Sequence, residues 1–158
     1  MYPQNNTPQD VQAPVAIIGC GVIGISWAAL FLHHGVNVHA WDPSPAARNA
    51  LSEKVKAPMA QLADMGHSAV NLGNLSVFTE MSAALSGVLF AQENAPEEIG
   101  LKHEIYHNFE SFSGSKALIA SSASGFSWSS LSSKMSEPQR LLTAHPFNPP
   151  HLVPLVEM

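Results

Sequence analysis

The sequence predicts an α/β domain in which helices cover both faces of a mainly parallel sheet. Short apolar segments that read as buried strands alternate along the chain with longer segments that read as helices. The first strand and the first helix meet at a glycine-rich turn, and 158 residues suit one domain with its own core. We therefore expect a doubly wound domain over residues 14–158, preceded by a flexible polar tail at residues 1–13.

The individual elements follow from apolar runs and from the residues that interrupt them. Strands are predicted at residues 13–19, 36–42, 75–79, 86–92, 116–122 and 140–145. Helices are predicted at residues 22–35, 44–66 and 96–112. Gly35 is expected to close the first helix, and Pro58 to interrupt the second nearby. The serine-rich stretch at residues 121–133 is predicted to be a loop that leads into a short helix.

Charge and cysteine content exclude several classes of protein. The net charge is -5 and the seven basic residues are scattered, whereas a nucleic-acid surface needs a basic patch. The single cysteine, Cys20, excludes an internal disulfide framework and fits a reducing compartment such as the cytoplasm. The uncharged segment 15–32 is long enough for a membrane span, but its three glycines would interrupt a spanning helix. We therefore expect neither a nucleic-acid partner nor a membrane segment.

The first motif is the sequence Gly19-Cys20-Gly21-Val22-Ile23-Gly24, which has the pattern G-x-G-x-x-G. It follows a predicted strand and opens a predicted helix, which is the context that a dinucleotide-binding fingerprint requires. Gly19 would allow the tight turn, Gly21 the approach of a pyrophosphate, and Gly24 close packing of helix and strand. The free N–H groups and the dipole of the helix N-terminus favour such an anion.

Asp42 closes the second predicted strand, 18 residues after Gly24. A carboxylate at this position accepts hydrogen bonds from the adenosine ribose hydroxyls and repels a 2′-phosphate. Pro43 follows, with no arginine adjacent in sequence. The motif and Asp42 together predict a Rossmann-like domain that binds NAD in preference to NADP. The alternative is an ordinary glycine turn followed by a solvated aspartate.

A second pattern, H-E-x-x-H at residues 103–107, competes with this interpretation. On a helix it can place two zinc ligands, His103 and His107, on one face beside Glu104 as a base. No third ligand follows at a suitable spacing, so we expect polar residues on a solvated helix face and no metal. A zinc hydrolase remains the competing hypothesis.

A histidine and a glutamate lie in an apolar segment at the end of the chain. His145 is predicted to end the last strand, and open α/β sheets bind ligands outside the carboxyl ends of their strands. A histidine there can act as a general base, aided by a carboxylate that holds the ring. Glu157 is the candidate, because a glutamate buried among valine and leucine needs a partner. On spacing alone, a core histidine with an unrelated surface glutamate is an equal alternative.

Three stretches together resemble the L-3-hydroxyacyl-CoA dehydrogenase superfamily, in particular its carnitine 3-dehydrogenase and lambda-crystallin (L-gulonate 3-dehydrogenase) branches. They are AIIGCGVIGISWAALFLHHGVNVHAWDP, AQENAPE and HPFNPPHLVPLVE. The resemblance extends from Val15 to the end of the chain. It implies an N-terminal Rossmann-like NAD-binding domain, a C-terminal helical domain, and oxidation of a 3-hydroxyl group to a ketone.

The resemblance also implies roles for particular residues. His145 and Glu157 match the catalytic pair of the family, which favours the dyad over the two unrelated residues. Ser124 matches the serine that contacts the substrate hydroxyl, and Asn148 matches an asparagine on the nicotinamide side. Two further residues match positions near the nicotinamide, namely Glu97 and Lys102. Ser122 and Ala123 replace the frequent asparagine and threonine of the family motif.

The substrate is predicted from the same resemblance. The family members that act on acyl-CoA have a long, lysine-rich insertion after the second strand, whereas residues 43–74 here hold only Arg48, Lys54 and Lys56 as basic residues. We therefore expect a small 3-hydroxy acid, with L-carnitine first and a 3-hydroxyacyl-CoA as the alternative. A different class is a crystallin-like protein that binds NAD without catalysis.

The helical domain of the family has no counterpart in these 158 residues. In the family that domain completes the substrate pocket and forms the dimer interface. The resemblance thus implies that this chain is the NAD-binding half of such an enzyme, with weak or absent turnover when alone.

Overall fold

The computed structural model describes residues 13–66 and 72–158, so all but the last residue of the tail predicted at residues 1–13 lies outside the described part. The strands are β1 (Val15–Ile18), β2 (Val38–Trp41), β3 (Leu75–Val77), β4 (Phe90–Glu93), β5 (Leu118–Ser121), β6 (Leu141–Thr143), β7 (His145–Pro146) and β8 (Val156–Glu157). The helices are α1 (Val22–His33), α2 (Pro45–Lys54), α3 (Lys56–Asp64), α4 (Met81–Leu85), α5 (Ile99–Phe112) and α6 (Trp128–Ser132), with a 3-10 turn at Pro138–Arg140.

Six strands form one parallel sheet in the order β3-β2-β1-β4-β5-β6, which is the doubly wound order of dinucleotide-binding folds. Alternate residues of β1 point to opposite faces of this sheet. Ala16 and Ile18 pack in a core with α4, α5 and α6, while Val15 and Ile17 pack in a second core with α1 and α2. The predicted fold class is therefore confirmed.

The chain reverses direction across the sheet between β1 and β4. From β1 it winds outward through β2 and β3, and then returns to pair β4 with the other side of β1. A crevice opens at the carboxyl ends of these two strands, where loops leave in opposite directions. This topology brings the ends of β1, β2, β4 and β5 to one edge of the sheet.

Several local predictions differ from the structure. The second helix is interrupted near Pro58, as predicted, but the break lies at Val55, and Pro58 itself is inside the first turn of α3, where its missing N–H group has no cost. Helix α4 was not predicted, because five residues are too few to show a period. The last strand of the large sheet ends at Thr143, so the placement of His145 at its end was wrong.

His145 belongs instead to a small antiparallel hairpin, in which β7 pairs with β8. The segment considered above as a membrane span is divided between β1 and α1. Within the described ranges 13–66 and 72–158, no helix has the length and apolar character needed to cross a bilayer.

Candidate functional site

The glycine-rich turn has the geometry that the motif predicts. Gly19 has φ of +93°, a left-handed conformation that favours glycine. A Cβ atom on Gly24 would lie 1.9 Å from the carbonyl oxygen of Gly19, so helix and turn meet there without room for a side chain. A Cβ atom on Gly21 would meet no atom of the described residues within 4 Å. Gly21 is also the N-cap of α1, without a side-chain cap, so the open space lies at a helix N-terminus, where an anion is favoured.

Asp42 fixes the neighbouring turn through both carboxylate oxygens. One oxygen accepts a hydrogen bond from the backbone N–H of Cys20 at 2.7 Å, and the other from that of Ser44 at 2.8 Å. The structure also brings Arg48 here, because its guanidinium donates to the carbonyl oxygen of Asp42 at 2.6 Å and of Pro43 at 3.2 Å. No arginine is adjacent to Asp42 in the sequence, but Arg48 of α2 contacts the backbone of Asp42 in the structure.

Cys20 lies within this turn and is 3% exposed. Its Sγ contacts the carbonyl oxygen of Trp41 at 3.7 Å. Burial, followed by the negative charge of Asp42, raises the pKa of the thiol to about 12, against a smaller lowering by Arg48. The thiol is therefore protonated and unreactive at neutral pH.

A cleft of about 410 Å³ opens at the crevice between the two halves of the sheet. Gly19, Gly21 and Asp42 lie on one wall, and Asn94 and Ala95 on the other. Its floor and sides are mostly apolar, formed by Ile18, Trp41, Pro43, Pro96, Leu101 and Ile105. An apolar cleft with a few polar groups at its ends suits a dinucleotide, whose adenine needs apolar contact and whose pyrophosphate needs N–H donors.

The loop on the second wall is held by a buried network around Glu93, the last residue of β4. One carboxylate oxygen of Glu93 accepts from Lys102 Nζ at 2.8 Å and from the backbone N–H of Ala95 at 2.7 Å. The other accepts from the hydroxyls of Tyr106 at 2.9 Å and Ser121 at 2.7 Å. Burial and the charge of Glu93 raise the pKa of Tyr106, which therefore stays a donor. Four donors satisfy a carboxylate that is 0% exposed.

Lys102, predicted to contact the cofactor, is 1% exposed. Besides Glu93, its ammonium group donates to the carbonyl oxygen of Ala95 at 3.2 Å and lies 3.9 Å from Glu97. The lysine thus supports the wall of the cleft from behind. Direct contact with a cofactor remains a prediction for Lys102, and sequence reasoning missed the role of Glu93. The available signal was a glutamate at the end of an apolar strand, nine residues before a lysine.

Glu97 and Ser124, which were predicted from separate motifs, are brought together. Glu97 Oε1 accepts from the backbone N–H of Ser124 at 3.0 Å and of Gly125 at 2.7 Å. The Ser124 side chain is exposed at the end of the β5 loop. Ser122, which replaces the frequent asparagine, donates to Asn94 at 2.8 Å and accepts from Gln92 at 2.9 Å. The replaced position therefore links β4 and β5 through hydroxyl and amide groups.

His145 and Glu157 face each other across the β7–β8 hairpin. The two residues are directly paired in the antiparallel register, and His145 Nδ1 lies 3.2 Å from Glu157 Oε2. The side chain of His145 is 35% exposed and that of Glu157 is 66% exposed. The expectation that Glu157 is buried among apolar residues was wrong, because β8 belongs to a two-stranded sheet and leaves this side chain mostly exposed. The predicted pairing itself is present in the structure.

Asn148 lies on the exposed turn between β7 and β8. The structure therefore places it on the same hairpin as His145, and among the described residues none forms a hydrogen bond with its side chain. Val22 and Ile23 form the first turn of α1, where Val22 is 70% exposed.

The H-E-x-x-H pattern lies on α5, as predicted, but its histidines have other surroundings. His103 Nε2 lies 2.9 Å from the carbonyl oxygen of Ser130, and His107 is exposed. In the part of the chain that the structure describes, no three histidine, cysteine, aspartate or glutamate side chains converge in a group suited to a metal ion.

Comparison with known proteins identifies relatives of the whole described region. The family model for the 3-hydroxyacyl-CoA dehydrogenase NAD-binding domain matches residues 14–158. An L-carnitine dehydrogenase from Nocardiopsis dassonvillei is 40% identical over 153 residues, covering 96% of this chain and 46% of that protein. A 3-hydroxyacyl-CoA dehydrogenase from Gibberella moniliformis is 37% identical over 145 residues, covering 91% and 45%. This chain spans about half the length of the curated relatives it matches.

Solved structures show the same fold. FHMPC 5-dehydrogenase, an NAD+-dependent dismutase, superposes with a TM-score of 0.85 at 29% identity, covering 92% of this chain and 48% of that one. (S)-3-hydroxybutyryl-CoA dehydrogenase from Ralstonia eutropha superposes with a TM-score of 0.78 at 26% identity, covering 92% and 53%. These matches confirm the predicted resemblance and the cofactor, NAD. The chain belongs to the family of 3-hydroxyacyl-CoA dehydrogenase NAD-binding domains.

Proposed function

We propose that this chain is the cofactor half of an NAD-dependent dehydrogenase that oxidises the 3-hydroxyl group of a small L-3-hydroxy acid to a ketone. The observation that carries the proposal is the His145–Glu157 pair, at 3.2 Å, on a hairpin that follows the strand ends of a dinucleotide-binding sheet. A general base next to a hydride acceptor is what alcohol oxidation requires.

The residues of the cleft suit NAD. The open N-terminus of α1 at Gly21 would receive the pyrophosphate. Each carboxylate oxygen of Asp42 accepts one backbone N–H and has a further lone pair, which would accept a hydrogen bond from a ribose hydroxyl. Glu97 and Asn148 are proposed to lie at the nicotinamide end, with Lys102 behind them. When bound, NAD supplies the hydride acceptor.

The β7–β8 hairpin would supply the base that takes the proton of the substrate hydroxyl. An ionised carboxylate only accepts hydrogen bonds, so Nδ1 of His145 carries the proton that faces Glu157. The lone pair on Nε2 is then available to the substrate hydroxyl, which Ser124 would also contact. His145 removes the hydroxyl proton as the carbon loses its hydride, and Glu157 stabilises the resulting imidazolium.

L-carnitine is the first candidate substrate. Relatives with that activity in their names match at up to 40% identity, although one at 37% is named a 3-hydroxyacyl-CoA dehydrogenase. Three basic residues follow β2 in the described part of this segment, and of these Lys54 is exposed, whereas the other two have partners. Arg48 donates to the carbonyl oxygens of Asp42 and Pro43, and Lys56 lies 2.5 Å from Glu53. We further propose that the whole enzyme is cytoplasmic and forms homodimers through its helical domain.

Titration of the purified chain with NADH and NADPH tests the cofactor site. Gly21→Ala is the sharpest variant, because its Cβ atom meets no protein atom within 4 Å and would occupy space intended for the pyrophosphate. We expect an unchanged unfolding midpoint with a clear loss of NADH affinity, and weaker NADPH binding by the unchanged chain. Asp42→Ala would also lose affinity but releases two backbone N–H groups, so it is a supporting variant. Normal NADH binding by Gly21→Ala would contradict the site.

The activity is tested after the chain is joined to the helical domain of a matching L-carnitine dehydrogenase. We expect NADH production from L-carnitine that exceeds production from 3-hydroxybutyryl-CoA and is lost in His145→Asn. If NADH binds but no oxidation that requires His145 is observed, the result would instead support the crystallin-like, non-catalytic alternative.

A further inference from the structure

The turn between β7 and β8 is tied to α1 and α3 by one buried histidine. The backbone N–H of His151 donates to Ser26 Oγ at 3.0 Å, and its ring Nδ1 lies 2.6 Å from the same oxygen. Its Nε2 lies 2.8 Å from Gln61 Oε1. Ser26 is in α1 and Gln61 in α3, so these bonds join three segments far apart in sequence.

The protons of this contact can be assigned from its donors and acceptors. Ser26 Oγ accepts the backbone N–H of His151, and its hydroxyl donates to Nδ1 when the ring proton is on Nε2. Gln61 Oε1 is an acceptor, so Nε2 carries the ring proton. Both ring nitrogens are satisfied in one neutral tautomer, with Ser26 2% and His151 9% exposed. A group satisfied in this way holds a single orientation.

The position of this contact relates the two parts of the proposed active site. Ser26 lies in the helix whose N-terminus forms the dinucleotide turn at Gly21. His151 lies in the turn whose two ends are His145 and Glu157 and which carries Asn148. The His145–Glu157 pair is itself partly exposed and would leave the hairpin free to tilt, since exposed pairs hold geometry weakly.

We infer that His151 is a positioning residue, which sets the place of the His145–Glu157 hairpin relative to the cofactor helix. This inference rests on the proposed function for its catalytic meaning. Its physical content is separate, since loss of the His151 bonds should move the surroundings of His145 whether or not NADH is bound. A residue that merely fills the core would lower stability without moving His145.

The test compares the ring-proton NMR signals of His145 in the unchanged chain and in variants, with and without NADH. His151→Phe removes both ring hydrogen bonds, and Gln61→Met removes one while leaving His151 in place. His151→Gln keeps an amide that can reach the former partners and is the rescue variant. His107→Phe is the matched control, because His107 is exposed on α5 and has no assigned role.

We expect His151→Phe and Gln61→Met to displace the His145 signals and to abolish their response to NADH, while NADH affinity changes little. His151→Gln should restore part of both, and His107→Phe should change neither. If His151→Phe does not fold, Gln61→Met alone decides the question. Signals of His145 that coincide with those of the unchanged chain in every folded variant, despite a lower unfolding midpoint, would overturn the inference.

A failure of the proposed function is distinguishable from a failure of this inference. If the unchanged chain does not bind NADH, the proposed cofactor site fails, and the signals recorded without NADH still test His151. If NADH binds and the variants leave His145 unmoved, the inference fails while the cofactor site stands.

Discussion

Two pairs, each of a carboxylate and a nitrogen-bearing side chain, lie toward the carboxyl edge of the sheet; their distances are similar and their burial is very different. Lys102 and Glu93 are 2.8 Å apart with side chains 1% and 0% exposed. His145 and Glu157 are 3.2 Å apart with side chains 35% and 66% exposed. The first carboxylate has four donors, two from α5, one from β5 and one from the loop after its own strand, whereas the second is paired across a two-stranded hairpin.

The difference in exposure suits a structural role for the buried pair and a catalytic role for the exposed pair. The buried pair is complete within this chain, and its charges stay together because neither can be solvated. The exposed pair retains access to water, and therefore to a substrate. A proton can leave His145 and return to it, whereas the ammonium of Lys102 is held among acceptors. We therefore expect mutations in the two pairs to affect stability very differently.

The largest effect is expected from Lys102→Met. The change leaves the Glu93 carboxylate buried without its cation, a situation that costs about 3–5 kcal/mol of unfolding free energy. Urea unfolding followed by tryptophan fluorescence measures it, with Lys116→Met as control because Lys116 is exposed. A loss no larger than that of the control would mean that the buried pair contributes nothing net.

Tyr106→Phe should have the next largest effect. It removes a hydroxyl that donates to the ionised Glu93 at 2.9 Å and keeps the buried ring. A hydrogen bond to a charged group contributes about 1.5–3 kcal/mol. The same urea unfolding measures the loss, and Ser121→Ala alone and combined with it tests whether the network is coupled. Additive losses would show that the two hydroxyls act on Glu93 independently.

The pH dependence of stability should depend on His151, which lies between these extremes of exposure. Burial lowers the pKa of its imidazole below 6.5, and its ring partners Ser26 and Gln61 are neutral. The folded state therefore binds fewer protons, so its contribution is complete above pH 6.5 and is lost as the pH falls through the folded pKa.

We expect His151→Gln to lose less stability than the unchanged chain between about pH 7 and pH 5, the range in which an unfolded histidine gains its proton. Thermal unfolding at several pH values measures the slope, and His107→Gln provides the control. Equal slopes in the unchanged chain and His151→Gln would contradict the role of burial at this position.

The smallest effect on stability is expected from Glu157→Gln. Even a fully charged pair that is exposed contributes about 0–1 kcal/mol, and the substitution leaves the hairpin backbone unchanged. Urea unfolding of this variant should nearly coincide with that of the unchanged chain. A loss as large as that of Lys102→Met would show that the two pairs are alike and that their difference in exposure has no energetic meaning.

The sequence predicted the parts of the molecule that depend on local pattern. Apolar runs located the six parallel strands, and the spacing of glycines located the dinucleotide turn. His145 and Glu157 came from a motif and its family resemblance, and the structure pairs them. Spacing alone left that pair undecided, because a distance of twelve residues does not reveal a hairpin register.

Residues that act through tertiary contact were not predicted. Glu93 was placed beyond the end of its strand, and its partners Tyr106 and Ser121 come from different elements. Arg48 reaches the backbone of Asp42 from the start of α2, and His151 reaches α1 from 125 residues away. Such contacts depend on how elements pack against each other, and the periodicity of a single segment gives no information about its packing partners.

Because Cys20 is buried in the dinucleotide turn, its reactivity reports how often that turn opens. Cys20 is the single thiol of the chain, and folding both shields it and keeps it protonated. A thiol reagent would therefore report the rate at which the dinucleotide turn opens, without any engineered label. Any ligand that closes the turn should slow that reaction, so the wild-type sequence already carries a probe of occupancy.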